Sequence, residues 1–151
     1  SCISTGQAML AWMPASALNE AIRHVQAFTP HTRTTQAEIE RELEIIRRRG
    51  YAINRGEWRE GIGGIAAPVR DWRGNVAGAI AVWGLQERFS GAREAEVAAL
   101  TMAAANEVSR AIGYLQAEAL APARTASSTE APRTGRAMPA TKTRNASPRR
   151  K

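Results

Sequence analysis

The sequence predicts an α+β fold in which helices pack on an antiparallel sheet. Segments with the helical spacing of apolar residues come first, a short strand and a longer hairpin follow, and one long helix ends the periodic part. Strands joined by a tight turn pair antiparallel, so this order favours one sheet with helices on its faces. The 151 residues include 12 glycines but only two Phe and two Tyr, which indicates that small side chains carry much of the packing.

Three helices are predicted in the first third of the chain, at residues 5–13, 17–26 and 35–50. The third, "TQAEIERELEIIRRRG", has the clearest boundaries. Thr35 and Glu38 have the spacing of a capping box, which satisfies the first backbone amides of a helix, and Gly50 is a typical helix end. Its apolar stripe, expected to face the core, consists of Ile39, Leu43 and Ile46.

Strands are predicted in "YAIN" (51–54), "GIGGIAAPV" (61–69) and "NVAGAIAVW" (75–83). Asp71 and Gly74 favour a turn between the last two, so that pair is predicted to form an antiparallel hairpin. A hairpin alone is marginally stable, and "YAIN" supplies a third strand. Glycine weakens a strand and often marks a bulge or the close approach of a ligand or backbone. Four glycines lie in or beside these strands, namely Gly63, Gly64, Gly78 and Gly84.

The last predicted helix is long and runs through "SGAREAEVAALTMAAANEVSRAIGYLQ", residues 90–116. Its predicted buried stripe consists of Val97, Leu100, Ala104, Val108, Ile112 and Leu115. Periodic patterns stop after this helix. The sequence therefore predicts one domain over residues 1–115 and a tail over residues 116–151.

The tail is predicted to be disordered, because it has no aromatic residue and too little apolar surface to offset chain entropy. It contains eight basic and two acidic residues, so it holds most of the net charge of +7 and leaves the body near neutrality. A solvated extension is the simpler interpretation. Weak, sequence-independent attraction of the tail to nucleic acid is the alternative.

Several classes of protein are disfavoured by the composition. Cys2 is the single cysteine, so no internal disulfide can form, and neither a signal peptide nor a membrane-spanning apolar stretch is present. A cytoplasmic protein without a membrane partner is the simplest expectation. His24 and His31 lack the spacing of metal ligands, so neither a metal nor a cofactor is predicted. No nucleophile elbow or catalytic triad is recognisable, which disfavours an enzyme.

Two blocks of sequence resemble the effector-binding domain of IclR-type bacterial transcriptional regulators. They are "STGQAMLAWMP" near the start and "ELEIIRRRGYAINRGEWREGIGGIAAPVRDWRGNVAGAIAVWG" in the middle, and a closing helix with "SRAIGYL" follows them. The resemblance covers about residues 1–115 and is specific in order and spacing. It implies a GAF-like fold, with helices on an antiparallel sheet, and a role in ligand sensing.

The winged helix-turn-helix that binds DNA in this family has no counterpart in the chain. The first helix and strands of the effector domain also have none, so the chain resembles the C-terminal part of a longer regulator or a truncated relative. DNA is then a partner only through the absent winged helix-turn-helix. A sheet that lacks its first strands leaves an unpaired edge, and we therefore expect a homo-oligomer.

The resemblance also implies a site for a small molecule, often an organic acid, between the start of the first helix and the sheet. Ser4, Thr5 and Gly6 lie at that helix start. Unpaired amides there favour an anion, and the two hydroxyl groups add donors. The alternative is an ordinary helix cap, because Ser and Thr are common capping residues.

By the same resemblance, the other wall of the site falls on Asn54, Gly64, Ala81 and Trp83. Ala81 and Trp83 are two positions apart and so share a face of one strand. A small apolar residue and an indole stand where family members that bind organic acids place hydroxyl groups. This departure favours an aromatic acid over a ligand the size of pyruvate. The alternative is that Trp83 merely fills a vacated pocket.

Two functions of different classes follow from these observations. One is a ligand-sensing module of an IclR-type transcriptional regulator, in which a small organic acid controls DNA binding. The alternative is a truncated dimerisation or interaction module that binds no effector. Neither the identity of the effector nor the operator can be predicted from the sequence.

Overall fold

The computed structural model describes residues 2–115. The predicted boundary at residue 116 and the predicted disorder of the basic tail lie outside these residues. In chain order the elements are α1 (Ser4–Leu10), α2 (Ala15–Arg23), α3 (Gln36–Arg49), β1 (Ala52–Arg55), β2 (Ile62–Arg70), β3 (Val76–Leu85), a 3-10 turn (Gln86–Phe89) and α4 (Gly91–Ala111). The predicted α+β class is confirmed.

The three strands form one antiparallel sheet in the order β1-β2-β3, so "YAIN" does supply the third strand. The hairpin turn also forms as predicted. The backbone amide of Asp71 donates to the carbonyl of Asn75 at 2.8 Å, and the Asp71 carboxylate accepts the amides of Arg73 and Asn75. The register places Gly64 of β2 opposite both Asn54 of β1 and Trp83 of β3.

Helices cover both faces of the central strand β2. On one face, α1 and α3 pack around Ala52 and Ala66, and the stripe predicted on α3 is buried there. On the other face, α4 packs against the strand residues that alternate with these, such as Ile65 and Ala67. Burial of both faces explains why β2 is apolar along its length rather than alternating.

The boundaries of α3 follow from local chemistry that the sequence makes visible. Thr35 and Glu38 form the predicted capping box. The Thr35 hydroxyl and backbone amide donate to the Glu38 carboxylate and hold the pKa of that carboxyl below its usual value. At the other end, Gly50 takes a left-handed conformation with φ of 87°, which only glycine adopts without strain.

The prediction for α4 was wrong about which face of the helix is buried and about where the helix ends. The buried residues are the small side chains Ala98, Thr101, Ala105 and Ser109, each one position beyond a residue of the predicted stripe. Leu100 and Leu115 are each 65% exposed. Small residues are buried because α4 lies closely on a sheet face lined by residues such as Ala67. The helix ends at Ala111, and Gly113 follows with φ of 95°.

Candidate functional site

A cavity of about 580 Å³ lies on the sheet face that α1 covers. Strand residues of all three strands contribute to it, together with the start of α1 and two loops. The lining residues are Cys2, Ile3, Ser4, Thr5, Phe28, Asn54, Trp58, Ile62, Gly63, Gly64, Ala81 and Trp83. Six of the seven residues predicted for the site are among them, so the structure brings these six together. The seventh, Gly6, does not line the cavity.

The sheet register explains why the strand residues meet. Asn54, Gly64 and Trp83 form one row across the three strands, and Ala81 lies on the same face two positions before Trp83. A Cβ atom at Gly64 would lie 2.9 Å from Cβ of Trp83 and 3.0 Å from the carbonyl oxygen of Val82. The row therefore requires glycine at its centre.

The start of α1 lies directly above this row, since Oγ of Ser4 is 3.4 Å from the position of a Cβ atom at Gly64. Ile3 is the N-cap residue of α1, and its side chain makes no capping hydrogen bond. Ser4 and Thr5 are already helical, so the alternative that they cap the helix is wrong. Ser4 is only 6% exposed, and it lines the cavity.

Asn54 is buried, and its side chain connects two segments around the cavity. Its Nδ2 donates to the backbone carbonyl of Cys2 at 2.5 Å, and its Oδ1 accepts the backbone amide of Gly56 at 3.2 Å. The first bond fixes the chain just before α1 to the sheet. Asn54 thus holds the cavity wall in place, whatever the ligand.

Trp83 is 69% exposed and lies at the open side of the cavity. Within residues 2–115 the indole is not packed into the core, and the alternative that it fills a vacated pocket stays open. Its ring is available for stacking against a flat ligand. Ala81 beside it is half-buried and leaves room above the strand.

The sequence reasoning missed two aromatic residues of the lining, Phe28 and Trp58, which are 52% and 43% exposed. Phe28 lies in the loop between α2 and α3, and Trp58 in the loop between β1 and β2. An aromatic residue within a polar loop was the only signal available. The loop between α2 and α3 (residues 24–35) and the loop between β1 and β2 (residues 56–61) are together called the paired loops.

Hydrogen bonds and ion pairs hold the paired loops together. The Thr29 hydroxyl donates to the Gly56 carbonyl at 2.8 Å, and the Thr32 hydroxyl donates to the Glu57 carbonyl at 2.5 Å. The Glu57 carboxylate, nearly fully buried, pairs with Arg33 at 2.8 Å. Arg33 also pairs with Glu42 of α3 at 3.2 Å, so the network extends into the helical layer.

Few polar side chains line the cavity. None of the residues that line it in the described part of the chain is charged. Its polar side chains are hydroxyls, one amide and one thiol, which suits the binding of an apolar or aromatic molecule through a few neutral hydrogen bonds. Between residues 2 and 115, no cluster of His, Cys, Asp or Glu could hold a metal ion, and no helix could span a membrane.

Comparison with known proteins agrees with this architecture. A family model described as the bacterial transcriptional regulator IclR C-terminal matches residues 1–110. The glycerol operon regulatory protein of Streptomyces coelicolor is 35% identical over 107 residues, which are 71% of this chain and 41% of that protein. The regulator BhcR of Paracoccus denitrificans is 36% identical over 106 residues, 69% of this chain and 38% of that protein. Both carry the names of regulatory proteins.

Solved structures give the same result. The IclR protein of Thermotoga maritima superposes with a TM-score of 0.70 at 31% identity, covering 75% of this chain and 47% of that one. The C-terminal domain of KdgR from E. coli superposes with a TM-score of 0.69 at 29% identity, covering 75% and 70%. The chain spans about two fifths of the length of the curated relatives it matches. It belongs to the IclR family of bacterial transcriptional regulators and corresponds to their C-terminal domain.

Proposed function

We propose that this chain is the ligand-sensing module of a cytoplasmic IclR-type regulator, and that its cavity binds a small organic acid, preferably an aromatic one. The observation that carries the proposal is the preformed, uncharged cavity that has the Ser4 hydroxyl in one wall and the Trp83 indole in another. A hydroxyl group in such a wall can donate a hydrogen bond to a ligand oxygen, and an indole can stack on a ring. Binding would control contact with DNA through a winged helix-turn-helix outside this chain.

In this proposal the carboxylate end of the ligand contacts polar groups, and the ring contacts apolar side chains. The carboxylate accepts hydrogen bonds from Ser4 and Thr5, whereas Gly6, which does not line the cavity, makes no contact with it. The ring lies over Ala81 and stacks on Trp83. Gly64 leaves the space between them open, and Asn54 holds the chain before α1 in position.

Calorimetric titration of the chain with benzoate and with pyruvate tests the proposal. We expect saturable binding with benzoate tighter than pyruvate, because only benzoate presents a ring to Trp83. Ser4→Ala should weaken benzoate binding about fivefold, since one net hydrogen bond is worth about 1 kcal/mol.

Ser16→Ala is the matched control, because Ser16 is exposed on α2 and does not line the cavity. It should leave benzoate binding unchanged. Circular dichroism of both variants establishes that they are folded. If no acid in a panel of aliphatic and aromatic acids binds, either to this chain or to a regulator that contains it, the proposal is wrong.

An interaction module that forms homo-oligomers is the second candidate, and exposed apolar surface favours it. In the described part of the chain β3 pairs only with β2, so its other edge is free, and its ten residues include no charged side chain. Val82 and Leu85 on this strand are 46% and 52% exposed. A long, uncharged free edge favours pairing with another strand.

We expect light scattering to show that the chain self-associates, and that Val82→Lys shifts it towards the monomer, because a charge on an edge strand opposes pairing. Trp72→Lys is the control, since Trp72 is also exposed but lies in the hairpin turn. A stable monomer at high concentration would contradict the expectation. Self-association without binding of any acid would favour the interaction module over the ligand sensor.

A further inference from the structure

We infer that the ligand is an aromatic acid of two parts, whose second apolar group lies against Phe28 and Trp58 on the paired loops. The inference rests on the proposed function and deepens it, since it assigns a role to a region of the cavity beyond the acid-binding end. It also makes Phe28 and Trp58 the residues that set the size of ligand the cavity prefers.

The first support is the size of the cavity. At about 580 Å³ it lies within the range of roughly 300–1,000 Å³ that is typical of sites for drug-sized ligands. Benzoate has a single ring and is much smaller than such a ligand. A benzoate ion with its carboxylate at Ser4 and its ring on Trp83 leaves much of this volume for a second group, and Phe28 and Trp58 line the same cavity.

The second support is the way Phe28 and Trp58 are held. Each adjoins a residue that ties the paired loops together, because Thr29 follows Phe28 and Glu57 precedes Trp58. The backbones that carry the two rings are therefore fixed relative to each other. Both side chains are about half exposed although they are large and apolar. Rings carried on a fixed backbone at a cavity wall offer contact area without the entropic cost of ordering the loops.

The third support is the absence of charge. No cationic side chain lines the cavity within residues 2–115, so no ion pair strengthens binding of the carboxylate. Affinity must then come mainly from apolar contact. A ligand with a second ring gains more from this cavity than a ligand with one ring.

Benzoate and 4-biphenylcarboxylate are the two probes for calorimetric titration. They carry the same acid group on the same ring, and differ by one further ring. We expect 4-biphenylcarboxylate to bind at least about tenfold more tightly, because burial of a ring contributes more than the roughly 1.4 kcal/mol that tenfold represents. Phe28→Ala and Trp58→Ala should each reduce this preference to about threefold or less, with little change for benzoate.

Trp72→Ala is the matched control for Trp58→Ala, since Trp72 is an exposed tryptophan outside the cavity lining. The Trp72→Ala variant should keep the full preference for 4-biphenylcarboxylate over benzoate. Phe28→Leu retains apolar volume and should give an intermediate preference. The inference is overturned if benzoate binds and 4-biphenylcarboxylate binds no more tightly, or if both alanine variants keep the preference. If neither acid binds the unaltered chain, the inference is overturned, and the panel of aliphatic and aromatic acids described above decides separately whether the proposed function also fails.

Discussion

Replacing Leu43 with alanine is expected to lower the free energy of unfolding by about 3 kcal/mol. Leu43 is 1% exposed and lies in the core that α1 and α3 form with the sheet. The substitution removes buried apolar surface and leaves a cavity that the surrounding helices can only partly close. Because this core also supports α1, whose start carries Ser4, the change should loosen one wall of the proposed site.

Chemical denaturation followed by circular dichroism measures this loss. Ile45→Ala is the matched control, because it removes a similar side chain from the same helix at a position 41% exposed. Its cost should be about 0.5 kcal/mol or less, as is usual for surface positions. Equal losses for the two variants would contradict the assignment of the core face of α3.

The α3 helix could be predicted fully from the sequence, because its signals are local. The capping residues Thr35 and Glu38 and the terminal Gly50 act within one turn of the helix ends. The face of α4 could not be predicted in the same way. Its large apolar residues and its small residues repeat with the same helical period, and only the close approach of α4 to the sheet decides which set is buried.

The candidate site, like the helices, could be predicted from the sequence only in part. Gly64, Ala81 and Trp83 lie on two strands whose pairing follows from a tight hairpin. Their proximity could therefore be predicted from the sequence. The positions of Phe28 and Trp58 could not be predicted in this way, because hydrogen bonds between residues 24 or more positions apart bring their loops together. Nothing local in the sequence indicates that Thr29 donates to the carbonyl of Gly56.

Gly64→Ala is expected to lower the free energy of unfolding by about 2 kcal/mol and to weaken acid binding, because a buried strand cannot accept the added methyl group without moving. Its Cβ atom would lie 2.9 Å from Cβ of Trp83, and the carbonyl of Val82 is backbone and cannot rotate away. The strands must separate at the row that carries Asn54 and Trp83. The space proposed for the ligand would change with them.

Gly78→Ala separates this steric effect from the general consequences of replacing a strand glycine. Gly78 lies on β3, and a Cβ atom there would meet no atom within 4 Å. Its replacement should leave stability unchanged or raise it by up to about 1 kcal/mol, because alanine restricts the unfolded chain. Denaturation curves and benzoate titrations of the two variants give the comparison. If Gly64→Ala proves as stable as Gly78→Ala and binds benzoate normally, then the tight packing of Ser4, Gly64 and Trp83 does not control the site.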